Sequence, residues 1–185
     1  MEQRTPLIQT FLAKNKQINL SAIRDEKGVW LKHIQDALEI YKVVHFPSGA
    51  TVADLGTGGG FPLLPLALTS PDGQFIGIDS IQKKTLAVNE MIATLHIPNA
   101  QVVWSRIEDY PHSVPAGYPQ TFDYLTARAV AYVDKLIPWA YPLLKPGGTL
   151  ILMKQYLVSE KKDLEKVCKI WKLQLTKEHH YSLFP

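Results

Sequence analysis

Val52-Ala53-Asp54-Leu55-Gly56-Thr57-Gly58-Gly59-Gly60-Phe61 is the stretch that decides how the rest of the chain is read. Its apolar residues make a buried strand that ends at Asp54 to Gly56. A glycine-dense turn follows, and then Pro62, whose fixed φ suits the first turn of a helix. Without a Cβ, Gly56, Gly58, Gly59 and Gly60 let a ligand come close to the main chain. The free N–H groups at the start of the helix favour a carboxylate or phosphate in the turn. A merely structural turn is the alternative, but the strand before and the helix after stand where nucleotide binding needs them.

Outward from this stretch, strands and helices alternate. Strands are predicted at 51–55, 74–79, 101–104, 122–126 and 149–153, and helices at 62–70, 81–95 and 132–144. The turns Ser70-Pro71-Asp72-Gly73 and Lys145-Pro146-Gly147-Gly148 punctuate them, with a Pro- and Gly-rich loop at 111–119. The pattern is that of an α/β fold, Rossmann-like, with a mostly parallel, doubly wound sheet over residues 47–185. Right-handed crossovers put the C-terminal strand ends, with Asp54, Asp79, Arg106 and Arg128, along one rim.

Residues 1–46 read as a helical extension laid against that core. Leu7, Ile8, Phe11 and Leu12 fall at helical spacing, with Lys14 and Lys16 on the wet side. Asp25 is placed to N-cap a second helix that carries Val29, Trp30, His33, Ile34, Ala37, Leu38 and Tyr41.

The 185 residues, 46% apolar, suffice for one sizeable core and leave no room for a second full domain. There is no run of 18 uninterrupted apolar residues and no basic-then-apolar leader, so a soluble, cytoplasmic protein without a membrane partner is expected. The lone Cys168 excludes an internal disulfide and a multi-cysteine metal site; no metal is expected. A net charge of +3 is unevenly spread, with a mildly acidic middle and basic flanks. Basic flanks can hold a polyanion such as RNA, although a helix with ordinary solvated lysines is the favoured account of residues 160–172 taken alone. Oligomeric state is not readable, and a monomer is the simpler expectation.

Asp79 ends the second strand, where an acid can accept both hydroxyl hydrogens of an adenosine ribose. A dinucleotide would place a pyrophosphate at the glycine turn, whereas S-adenosyl-L-methionine would place its amino-acid end there. Asp54 would repel the first and help to hold the ammonium of the second, so the pattern favours S-adenosyl-L-methionine. Ser105-Arg106-Ile107-Glu108-Asp109 supplies an apolar side chain and acids where an adenine would lie, with Ser105 also suited to cap a short helix. His33 reads either as a substrate contact or as a half-buried histidine bonded to its neighbours. Arg128 reads as a ligand for the cofactor carboxylate, or as a structural ion pair with Asp123 or Glu108. Trp30, Trp104, Trp139 and Trp171 each lie in an apolar pattern and are expected to pack rather than to stack on bases.

The segments Asn19-Leu20-Ser21-Ala22-Ile23-Arg24-Asp25, His33-Ile34-Gln35-Asp36-Ala37-Leu38, Ala53 to Pro62, Ser105-Arg106-Ile107-Glu108 and Ala127-Arg128-Ala129-Val130-Ala131 resemble, in order, the signatures of a known family. It is the glucose-inhibited division protein B family, the ribosomal RNA small subunit methyltransferases G. The resemblance spans nearly the whole chain. It implies transfer of a methyl group from S-adenosyl-L-methionine to N7 of a guanine in 16S ribosomal RNA, on the small ribosomal subunit. It further implies cofactor contacts at Gly56, Phe61, Ile107, Glu108 and Arg128, to which the residue pattern adds Asp54, Gly58 and Asp79. Arg24, Lys32, His33 and Lys154 are the RNA-contact candidates. Family members continue into a last strand beyond the equivalent of Tyr181-Ser182-Leu183, and that strand is expected to be missing here.

The residues agree with this chemistry. An exocyclic amine methyltransferase would carry an Asn/Asp-Pro-Pro-aromatic loop after strand four, where Thr126-Ala127-Arg128-Ala129 stands. A pyrimidine-carbon methyltransferase would need a cysteine at the rim, but Cys168 falls in a lysine-rich helical stretch. Guanine N7 already offers a lone pair, so catalysis by positioning suffices. A methyltransferase of small molecules or proteins, and a non-catalytic nucleotide-binding module, are the alternatives.

Overall fold

The computed structural model describes residues 4–113, 121–155 and 158–183. Five parallel strands, β1 (Thr51–Leu55), β2 (Gln74–Asp79), β3 (Ala100–Trp104), β4 (Phe122–Arg128) and β5 (Leu144–Met153), form one sheet in the order β3-β2-β1-β4-β5. The chain runs outward from β1 to β3, returns to the middle for β4, and runs outward again to β5. The order reverses between β1 and β4, and in open α/β sheets the crevice at such a reversal is where ligands bind.

Buried on both faces, the central strands need continuous apolar runs, and β1 is buried at every position from Val52 to Leu55. The helices α4 (Leu63–Thr69), α5 (Gln82–Thr94), α6 (Tyr110–Ser113), α7 (Val133–Ala140) and α8 (Val158–Trp171) follow the strands. Pro62 stands one residue earlier than expected, as the N-cap of α4, after a cis Phe61–Pro62 peptide. The expected helix at 132–144 is α7 continued by a 3-10 turn, Tyr141–Leu143. β5 begins at Leu144 rather than 149: the Pro-Gly-Gly turn lies within it as an irregularity, with Gly147 at φ 79°. Most of the loop expected at 111–119 lies outside the described residues.

The N-terminal residues do not form a separate layer. Helix α1 (Arg4–Ile18) and the second helical stretch put Leu7, Phe11, Val29 and Ile34 into the same apolar cluster as Phe61, Leu64, Phe75 and Met91 of the sheet layer. Side chains of this kind, fully buried, each contribute about 1.5–3 kcal/mol, so the extension is held chiefly by its apolar face. Lys14, expected on the wet side, instead reaches Glu90 on α5. Asp25 does cap, its Oδ1 accepting from the Gly28 amide at 2.8 Å.

That second stretch is not one regular helix. It begins as α2 (Glu26–Val29), widens into a π-helical turn at Trp30–Gln35, and resumes as α3 (Asp36–Leu38) with a 3-10 end at Glu39–Lys42. Widened turns of this kind are frequent at functional sites. This one carries Lys32 and His33.

Candidate functional site

The glycine turn lies on the β1 side of the strand-order reversal and β4 ends beside it. Gly56 adopts φ +66°, and a Cβ there would stand 2.9 Å from Val130 Cγ2, so both the backbone and the space require glycine. A Cβ at Gly59 would meet Phe11 at 3.1 Å and Leu20 at 3.4 Å, which shows how closely the extension presses on the turn. There too is a cavity of about 370 Å³, lined by Gly56, Gly58 and Phe61 and by Ser21, Lys32, His33 and Arg128.

Arg128, the last residue of β4, is anchored by the extension. Its Nη1 donates to Asp36 Oδ2 at 2.9 Å and to the Lys32 carbonyl at 3.0 Å, and its Nη2 lies 3.2 Å from His33 Nδ1. The structural partner expected from the sequence, Asp123 or Glu108, is therefore corrected to Asp36. Asp123 is bound to Thr51 and Lys145 near the start of the strands, and Glu108 lies 4.0 Å from Arg106. Asp36 also accepts from the Tyr181 hydroxyl at 2.6 Å, and burial first, then this bond and the nearby carboxylates, push the phenol's pKa up. The stretch after α8 thus lies back across the extension at the residue that fixes Arg128.

His33 has both ring nitrogens engaged within the protein: Nδ1 with Arg128, and Nε2 with Ser21 Oγ at 3.0 Å. Its ring stacks on Phe61 at 4.7 Å and meets the edge of Phe11. Burial, and then the Arg128 charge, lower its pKa to about 4, so the ring is neutral at neutral pH. The reading of His33 as an RNA contact gives way to the bonded, half-buried one.

The two strand-end acids are also turned inward. Asp54, 2% exposed, accepts from Thr126 Oγ1 at 2.9 Å and from the Leu63 amide at 3.3 Å, tying β1 to β4 and to the start of α4. Burial drives its carboxyl up to about 6, against the pull of the Thr126 hydroxyl and the Arg128 charge. Of the two ways in which Asp54 was expected to help hold an ammonium, directly or through water, its burial leaves little surface for the direct one. Asp79 holds the glycine turn itself, accepting from the Gly58 and Ile81 amides at 2.8 Å each. A carboxylate has about four acceptor positions, so two remain for a ligand.

The other candidates lie apart from the cavity. Ile107 is 7% exposed, in the apolar cluster beneath the β3 end, and Glu108 is exposed beside it. Ser105 caps nothing, since its hydroxyl donates to the Arg106 carbonyl. Arg24 is exposed and bonds to the Asn19 side chain. Lys154 is exposed, donates to the Ala131 carbonyl at 2.8 Å and sits 6.0 Å from the Tyr132 ring. Trp104, expected to pack, is 58% exposed because β3 is an edge strand and this residue stands at its open end. Asn15 was missed altogether. It is 1% exposed, and its amide holds the backbone of Ser21 and Ile23. An amide on the apolar side of an amphipathic helix was the one available signal.

Comparison with known proteins follows this geometry. The "SAM dependent methyltransferase" of Aquifex aeolicus superposes with a TM-score of 0.62 at 18% identity, over 81% of this chain and 85% of that one. Another, from Thiobacillus denitrificans, gives 0.50 at 18% identity over 64% and 47%. At these identities the likeness is one of fold, and the fold is Rossmann-like. The sequence is 38% identical to the "Ribosomal RNA small subunit methyltransferase G" of Leuconostoc citreum over 83% of this chain and 64% of that protein. It is 36% identical to the one from Deinococcus radiodurans over 88% and 63%. The chain thus spans a little under two thirds of the length of these relatives. The model of one family, described as "rRNA small subunit methyltransferase G", matches residues 1–182, and the chain belongs to that family.

Proposed function

We propose that this chain transfers the methyl group of S-adenosyl-L-methionine to N7 of a guanine in 16S ribosomal RNA. The observation that carries the reading is the cavity between the glycine turn and the extension, with Arg128 held at its wall by Asp36. The main chain at Gly56 and Gly58, the Phe61 ring and Arg128 would receive the cofactor's amino-acid end. The spare acceptor positions of Asp79 would take the ribose, and Ile107 with Glu108 would flank the adenine. The sulfonium carries the transferable methyl group when the cofactor is bound.

What the protein's own residues contribute is orientation. Nothing has to remove a proton from guanine N7, so the rate depends on bringing that nitrogen into line behind the methyl carbon and excluding water. Arg128 is rigid because three groups hold it, and a rigid cation needs no reorganisation when a carboxylate or carbonyl oxygen arrives. Arg24, Lys32 and Lys154 are solvent-exposed cations suited to RNA phosphates, and contacts of that kind make binding weaken steeply with salt. No helix among the described residues is long and apolar enough to cross a membrane, and a cytoplasmic setting with the small ribosomal subunit as partner fits this reading.

Labelled cofactor incubated with deproteinised small-subunit RNA, followed by mass mapping, tests the proposal. A methyl label on one guanine is expected from the wild type, with at least a hundredfold loss in Arg128→Ala, in line with the loss of one preorganised donor, and a loss as large in Gly56→Asp, whose side chain would meet Val130 and put a carboxylate into the turn. Full activity in both variants, or label on a pyrimidine or an exocyclic amine, rejects it.

A further inference from the structure

Ser21 stands at the cavity wall on the loop between α1 and α2, and hydrogen-bond bookkeeping fixes where its proton goes. Arg128 can only donate, so His33 Nδ1, 3.2 Å from Nη2, is an acceptor. A neutral imidazole then carries its single proton on Nε2, which donates to Ser21 Oγ at 3.0 Å. The Ile23 amide donates to the same oxygen at 3.2 Å. Both lone pairs of the hydroxyl are thereby filled, and among the described residues its own hydrogen is given to nothing. The Ser21 backbone cannot turn away, because the Asn15 amide holds its N–H at 2.8 Å and its carbonyl at 3.1 Å. Nor can His33, clamped on the Phe61 face.

We propose that the Ser21 hydroxyl is a directed donor into this cavity that binds a carboxylate oxygen of the cofactor's amino-acid end, with His33 as its positioning residue. The inference rests on the methyltransferase reading and adds to it a ligand residue on the N-terminal extension. A carboxylate fits the surroundings better than a neutral acceptor: the Arg128 guanidinium, Lys32 and the glycine turn all face the same space. One carboxylate oxygen can meet the guanidinium while the other meets Ser21. The extension therefore completes the cofactor pocket rather than merely covering it.

Calorimetric titration with two ligands tests this. S-adenosylhomocysteine has the amino-acid end, and 5′-methylthioadenosine keeps the adenosine and the sulfur without it. Ser21→Ala is expected to weaken S-adenosylhomocysteine about tenfold, the usual scale of one hydrogen bond to a charged group, and to leave 5′-methylthioadenosine unchanged. Ser21→Thr restores binding, and His33→Phe, which keeps the stacked ring but loses the donor, moves S-adenosylhomocysteine alone in the same direction. Equal weakening of both ligands marks a structural role and overturns the proposal. So does unaltered S-adenosylhomocysteine affinity, including the case where only the KM for RNA rises, which would assign the donor to the base. A wild type that binds neither ligand refutes the methyltransferase reading itself, and this inference with it.

Discussion

Asp54 and Asp123 belong to neighbouring strands of one sheet, β1 and β4, but stand near opposite ends of them, and their carboxyls are driven in opposite directions. At the rim, burial lifts Asp54 to about 6. Near the start of the strands, burial also acts on Asp123, but the Thr51 amide, Lys145 and the Thr51 hydroxyl outweigh it and bring the carboxyl down to about 2. Asp123 receives Lys145 at 2.9 Å in a half-exposed setting, so its charge is matched and solvated. Asp54 lies beneath the turn with no cation in contact and two neutral donors, the Thr126 hydroxyl and the Leu63 amide. The pair at the lower end stands open to solvent, whereas Arg128 with Asp36, 20% and 14% exposed, is the more sheltered pair, and its Arg128 lines the cavity.

Breaking that pair should give the largest change in stability. Arg128→Ala leaves Asp36, 14% exposed in the intact pair, without its cation, and stranding one partner of a buried pair costs about 3–5 kcal/mol. Urea unfolding at pH 7 should show a loss near the lower figure, because the Tyr181 hydroxyl still donates to Asp36. A loss below about 1 kcal/mol would place this pair with ordinary surface pairs.

The rim also holds two titrations that oppose each other. The folded pKa of His33, about 4, is below its ordinary 6.5, so its contribution is present above pH 6.5 and is lost as pH falls toward 4. The folded pKa of Asp54, about 6, is above its ordinary 3.8, so its contribution is present below 3.8 and is lost as pH rises through 6. Each shift corresponds to about 3 kcal/mol, and between pH 4 and 6 the two nearly cancel. Relative to wild type, His33→Phe should therefore gain stability on acidification across that window and Asp54→Asn should lose it. Difference curves from unfolding at pH 4, 5, 6 and 7 measure both, and flat curves would mean that neither group is perturbed.

How much of this could be read from the sequence follows from how local each signal is. The glycine turn, the strand end at Asp79 and each strand and helix of the alternation are written in short local runs, so β1 to β4 and the rim were legible. Arg128 was legible as a rim residue but its partner was not, because Asp36 lies 92 residues away and meets it only once the extension has packed. The acids that the alternating pattern offered were Asp123, in β4, and Glu108, just past the end of β3. The π-helical turn at Trp30–Gln35 was not legible either: Val29, Trp30, His33, Ile34, Ala37, Leu38 and Tyr41 fit ordinary helical spacing, and only in the fold does the buried face step from Val29 to Ile34, Ala37 and Ile40. The burial of Asp54 was not legible for a different reason: spacing puts a carboxylate at the strand end, but only packing decides how far it is covered. Asn15 and Ser21 act through main-chain bonds of the loop that joins α1 to α2, and polar residues in such a loop look alike until it is folded.

The smallest effect should come from the lower end. Asp123→Asn removes the ion pair with Lys145, but the side chains are 35% and 41% exposed, and pairs so open to solvent contribute at most about 1 kcal/mol. The Thr51 amide and hydroxyl can still donate to the asparagine carbonyl, which limits the loss further. What the variant should change is the response to acid and salt. The lowered pKa makes Asp123 stabilising above its ordinary 3.8, a contribution lost as pH falls toward 2. The wild type should therefore lose its small advantage over the variant as pH falls from 4 to 2, and also on raising the salt at pH 7. The Arg128 variant, whose pair is mostly sealed from solvent, should keep its deficit in the same high salt. If both deficits shrank equally with salt, the two ends of the β1–β4 pair would not differ in burial as the structure has it.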